Sequence, residues 1–117
     1  MKENTLVDLS RRFAIETITL CTKTKDRKAS SILTNQLLRC GTSIGANIHE
    51  ANYASSRADF VNKLQIALKE CYESDYWLSI FAESEIITKE EFHFMYEQCS
   101  KIRTLLISSI NTAKSKL

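Results

Sequence analysis

The chain has no proline and only two glycines. Neither glycine sits in an apparent turn. Both lie inside a stretch with the periodicity of one long helix, where each costs about 0.5–1 kcal/mol relative to alanine. No apolar run approaches the ~20 residues that span a bilayer, which excludes a transmembrane helix and membrane partners. Met1 to Thr5 lack the apolar region of a signal peptide, so the cytoplasm is the expected location. No pair among Cys21, Cys40, Cys71 and Cys99 has Cys-x-x-Cys spacing, and the two histidines do not complete a zinc pattern. In a reducing compartment such scattered cysteines read as small buried hydrophobes. Net charge is scant at +2: residues 1–58 carry nine Lys/Arg against five Asp/Glu, and residues 59–117 carry seven against nine. That permits a weakly basic face in the first half, well short of a strong nucleic-acid footprint. Strand alternation, internal repeats and low-complexity segments are absent.

What is present is four amphipathic segments in a single domain, 1–117. Leu6, Leu9, Phe13, Thr17, Leu20 and Cys21 recur at helical spacing, as do Leu33, Leu37, Cys40, Ile44, Ile48 and Ala51. Phe60, Leu64, Ala67, Leu68, Cys71, Tyr72 and Leu78 mark a third stripe. Phe92, Met95, Tyr96, Cys99, Ile102, Leu105, Leu106 and Ile110 mark a fourth. Thr5/Asp8, Ser56/Asp59 and Thr88/Glu91 have capping-box spacing. These signals predict helices over about 5–23, 30–54, 57–82 and 89–115. Short links between long helices force antiparallel neighbours. The expected fold is therefore all-α, an antiparallel up-down-up-down four-helix bundle.

Catalytic and metal constellations are sparse. A di-iron bundle needs Glu-x-x-His on two helices and a glutamate from each of the others. Glu90 and His93 supply one such motif, in the first turn of a helix, and no second copy exists. His49 followed by Glu50 has the wrong spacing for joint ligation. A spatial meeting of His49 with a cysteine stays open, but cysteines at apolar helical positions are usually inert. No glycine-rich phosphate loop is present. The reading is of a non-enzyme with no catalytic residues, metal site or cofactor.

Three other features are more informative. Gly41 and Gly45 share a helix face, with Ala46 nearby, so another backbone can approach closely, within the chain or between chains. Gln36, Arg39, Ser43, Asn47 and Glu50 form a continuous ridge of mostly short or uncharged groups. Such a ridge reads as half-buried, satisfied either by Asp59, Lys63 and Glu70 of the third helix or across a subunit interface. Tyr76 and Trp77 extend an aromatic cluster with Tyr72, suited to core packing with a polar tip, to an oligomer contact or, less well, to base stacking. Finally, Arg11, Arg12, Lys23, Lys25, Arg27 and Lys28 are candidate phosphate contacts, against the plainer reading of helix-end charge.

The run Asn35 to Ala51 is joined by Ser55, Ser56, Asp59-Phe60, Lys63-Leu64, Ala67 to Glu70 and Tyr76 to Leu78. Together these resemble the four-helix-bundle family named for 23S ribosomal-RNA intervening sequences. The core Thr42-Ser43-Ile44-Gly45-Ala46-Asn47-Ile48 is the most specific part, and Cys40 and Gly41 depart mildly from the family's usual small residues. The resemblance implies a bundle that assembles as a ring, a homopentamer. A similar fold occurs in the accessory protein of diversity-generating retroelements, a basic pentamer that engages reverse transcriptase and nucleic acid. The implied role is a homo-oligomeric scaffold or adaptor. The alternative is a nucleic-acid-binding accessory protein using the basic face of the first two helices, with a nucleic acid or a nucleic-acid enzyme as partner. The family supplies no catalytic residues to transfer.

Overall fold

The computed structural model describes the backbone of residues 2–27 and 29–117, and the side chains of 5–27 and 29–117. The described residues form α1 (Lys2–Asp26), α2 (Ser31–Ala51), α3 (Arg57–Glu83) and α4 (Lys89–Lys114). α1 packs on α2 and α4, and α3 packs on α2 and α4, while among the described residues the diagonal helices do not come within 8 Å of each other, Cα to Cα. The result is the expected up-down-up-down bundle, 47 × 21 × 19 Å. Phe13, Phe81, Leu37, Ile44, Leu64, Leu78, Met95, Ile102 and Leu106 fill its axis.

Three boundaries differ from the sequence expectation. α1 begins at Lys2, so Thr5 lies inside the helix and does not cap it. Lys2, Glu3 and Asn4 contain no helix breaker, and nothing obliges the helix to wait for Thr5. α1 also runs on to Asp26, because Thr24 is buried with its Oγ1 3.2 Å from Thr34 Oγ1 on α2. α2 stops at Ala51 instead of 54. Asn52, Tyr53 and Ala54 donate to His49, Glu50 and Ala51, the i→i−3 bonds of a tightened turn.

The other ends follow capping chemistry. At α4 the box is complete: Glu91 N donates to Thr88 Oγ1 at 3.0 Å and Thr88 N to Glu91 Oε1 at 2.9 Å. At α3 the reciprocal bond is shifted by one residue. Asp59 N donates to Ser56 Oγ, but Asp59 Oδ2 accepts from Ser55 N. α3 ends in a Schellman motif, with Ile86 N donating to Phe81 O at 2.9 Å and Glu85 N to Ala82 O at 3.1 Å. Its left-handed position is occupied by Glu85, φ 61°, where glycine is the usual residue. Arg27 ties this link to the end of α1. It donates to both Glu91 carboxylate oxygens, at 2.8 and 2.9 Å, and to Ile86 O at 3.1 Å. That bidentate bond, with the Thr88 N–H, holds the Glu91 carboxyl down at about 2.

Candidate functional site

The two glycines face α1 of the same chain. A Cβ on Gly41 would lie 2.7 Å from Thr17 Cγ2 and Oγ1, and one on Gly45 would lie 3.2 Å from the Ser10 carbonyl oxygen. Thr17 cannot move aside easily, since it is fully buried and its Oγ1 donates to Phe13 O at 2.7 Å. α2 therefore rides directly on the α1 backbone at Ser10. On the outer side of this contact the small residues Ala14, Gly45 and Ala46 leave a shallow groove of about 420 Å³, edged by Arg11 and His49.

The polar ridge of α2 is satisfied largely inside the chain. Ser43 Oγ donates to Arg39 O at 2.6 Å, and Asn47 Nδ2 donates to Ser43 O at 2.8 Å. Arg39 bridges to α3, donating to Glu70 Oε2 at 3.0 Å and to Glu73. Lys63 Nζ reaches Glu50 Oε1 at 3.2 Å. Gln36 is half-buried beside them. Asp59 does not join the ridge, because its carboxylate is engaged at the start of α3.

Sequence reasoning missed one cluster on the α3/α4 face. The Arg103 guanidinium sits 5.7 Å from the ring centres of both Tyr72 and Tyr96, and it pairs with Asp75. Asp75 Oδ1 is buried without a hydrogen bond of normal geometry, with the Cys99 thiol nearby. Burial pushes the Asp75 carboxyl up, and Arg103 only partly pulls it back. Residues 72, 75, 96, 99 and 103 each recur at helical spacing, but joining them needs the α3–α4 register. Tyr76 stands out 57% exposed, edge-on to the half-buried Trp77 at 5.1 Å.

Arg11, Arg12, Lys23 and Lys25 are exposed along α1, and none forms an ion pair with another described residue. Arg27 is committed to Glu91, and Lys28 lies outside the described residues. The four cysteines are buried free thiols. Burial pushes Cys21 and Cys40 up to about 11, and the adjacent Cys71 thiol, then burial, pushes Cys99 up further. Cys21, Cys40 and Cys99 are thus protonated, non-nucleophilic thiols at neutral pH. His49 and His93 stand outside the core, tilted against Tyr53 and Phe92. Among the described residues no three metal-ligating side chains converge, and no helix is long and apolar enough to cross a membrane.

Comparison with known proteins adds two findings. A family model described as 23S rRNA-intervening sequence protein matches residues 2–108. The chain is 44% identical to a crystallised Bacteroides thetaiotaomicron protein, described as of unknown function from the S23 ribosomal protein family. The two superpose with a TM-score of 0.92 over 95% of this chain and 99% of that one. No curated protein matches.

Proposed function

The chain belongs to the 23S rRNA-intervening sequence protein family, whose function is not established, and from that premise we propose that it is a non-enzymatic scaffold or adaptor that works as a homo-oligomer in the cytoplasm. The observation that carries this reading is where the large apolar side chains lie. The bundle axis is fully packed, yet Ile15, Ile18, Ile32, Tyr53, Tyr76 and Phe94 are each half exposed or more. Ile15 and Ile18 are neighbours one turn apart on α1, and such adjacent exposed apolar side chains support an interaction surface there. Burial that holds Cys21, Cys40 and Cys99 protonated supports reading them as packing residues. The family resemblance implies a ring of five. Sedimentation across a dilution series tests the reading: a species of several chains at micromolar concentration supports it, and a 13.4 kDa monomer throughout overturns it.

A second reading, nucleic-acid binding, rests on Arg11, Arg12, Lys23 and Lys25, all exposed on α1. One chain carries only +2, but five would sum to about +10, and repetition of a weak contact raises avidity. Binding of this kind falls steeply with salt, because it depends on counterion release. A gel-shift series showing no complex even at low salt removes this reading.

A further inference from the structure

The Ser109 hydroxyl, on α4, is buried and makes no hydrogen bond with a described residue. Hydroxyls inside helices often turn back onto the carbonyl four residues earlier. Thr17, Thr22, Thr104 and Thr112 all do so, at 2.7–3.1 Å. Ser109 does not bond Leu105 O in this way; it lines a cavity of about 10 Å³. That is the size of one water. All four helices wall it, at the end of the bundle where α2 turns into α3: Leu6 from α1, Ile48 from α2, Phe60 and Leu64 from α3, and Ser109 from α4. Asn52, which ends α2, is the other polar residue in the wall.

The last turn of α2 offers this hydroxyl a partner across the bundle. Asn52 N donates to His49 O at 3.2 Å, which takes it from Ile48 O, its α-helical acceptor. Ile48 is in the cavity wall, and its carbonyl is spared that bond. A direct bond from Ser109 falls short. A serine oxygen and a main-chain oxygen each reach about 2.4 Å from their own Cα, so a bond of about 2.8 Å needs Cα atoms closer than about 8 Å. α2 and α4 are a diagonal pair and nowhere come within 8 Å, Cα to Cα. An intervening water extends the reach to roughly 10 Å. We propose that the cavity is a binding site for a single structural water, which accepts from the Ser109 hydroxyl, donates to the Ile48 carbonyl and so ties α2 to α4. Asn52 supplies a third partner, within the two to four that hold a buried water. The bridge accounts for a hydroxyl set among Leu6, Ile48, Phe60 and Leu64, where an unpaired one is costly. It lies inside one chain and stands whether or not the chain self-associates.

Crystal structures of wild type and Ser109→Ala, at a resolution that shows ordered water, test this. Wild type is expected to hold one density peak about 2.6–3.2 Å from both Ser109 Oγ and Ile48 O. Ser109→Ala is expected to lose that peak with the bundle unchanged, since alanine is the better helix former and removes only the hydroxyl. If either protein does not crystallise, oxygen-17 relaxation dispersion, which counts long-lived internal waters, is expected to find one fewer in the variant. A wild-type Ser109 hydroxyl that donates to Leu105 O with no water beside it overturns the proposal. So does a peak that touches Ser109 but not Ile48, a peak retained in Ser109→Ala, or an equal count of internal waters in the two proteins.

Discussion

Replacing Gly41 by alanine separates two opposing effects whose sizes the structure supplies. Alanine is the better helix former by about 1 kcal/mol, so on propensity alone the variant should be more stable. Its Cβ, however, would fall 2.7 Å from two Thr17 atoms and 3.1 Å from a third, Cβ itself. Contacts between carbon atoms are comfortable only beyond about 3.5 Å. The offending group is close to the α1 backbone and fully buried, so α1 and α2 must separate by roughly 1 Å. Overpacking of that kind costs about 1–3 kcal/mol. The net expectation is a loss of about 0–2 kcal/mol, or up to about 8 °C in Tm for a chain of this size. Gly45→Ala is the internal control. Its Cβ would meet the Ser10 carbonyl oxygen at 3.2 Å, a few tenths of an ångström too close, so propensity and crowding should nearly cancel. Urea unfolding followed by far-UV circular dichroism, at fixed protein concentration because association shifts apparent stability, reads both. Thr17→Ala combined with Gly41→Ala should recover much of the loss, as a negative coupling between neighbours. A Gly41→Ala protein about 1 kcal/mol more stable than wild type, with no coupling to Thr17, would refute the reasoning.

Other outcomes follow from single features. Glu85→Gly should stabilise by about 0.5–1 kcal/mol, because a non-glycine residue at φ 61° is strained, whereas Glu85→Ala should not; thermal unfolding distinguishes them. The Glu91 carboxyl is held at about 2, below its ordinary value, so its contribution is complete above pH ~4.5 and is lost as pH falls towards 2. Discounted for its partial exposure, that contribution is about 1–2 kcal/mol, and Glu91→Gln should flatten the acid limb of the stability curve accordingly. In the folded protein the buried thiols should resist alkylation by iodoacetamide at pH 7.5, and all four should react in denaturant; rapid labelling of Cys21, Cys40 or Cys99 in the native state would contradict the assignment of protonated, enclosed thiols. Leu106→Ala should cost about 2–5 kcal/mol, since Leu106 is fully buried on the axis.

The fold was legible because each helix must bury one stripe, and stripes such as Leu37, Cys40, Ile44 and Ile48 repeat with the helical period. Ends were less legible because their signals are degenerate. Thr5 and Asp8 have the spacing of a capping box yet lie inside α1, while Thr88 and Glu91 have the same spacing and form one. The turn after α3 carries no glycine signal, since Glu85 occupies the left-handed position. Contacts local to one helix could be anticipated from spacing, whereas the Arg39 bridge to Glu70 and Glu73 needs α2 placed in register against α3. The Tyr72–Arg103–Tyr96 stack was invisible, because its members are meaningful only once α3 and α4 are placed in register.

The central claim is that this bundle acts through its outer surface, as one copy among several. Native mass spectrometry of the purified chain at micromolar concentration tests it most directly. The account expects a closed assembly whose mass is an integral multiple of 13.4 kDa, five-fold if the family resemblance carries through. A single 13.4 kDa species under the same conditions would contradict it.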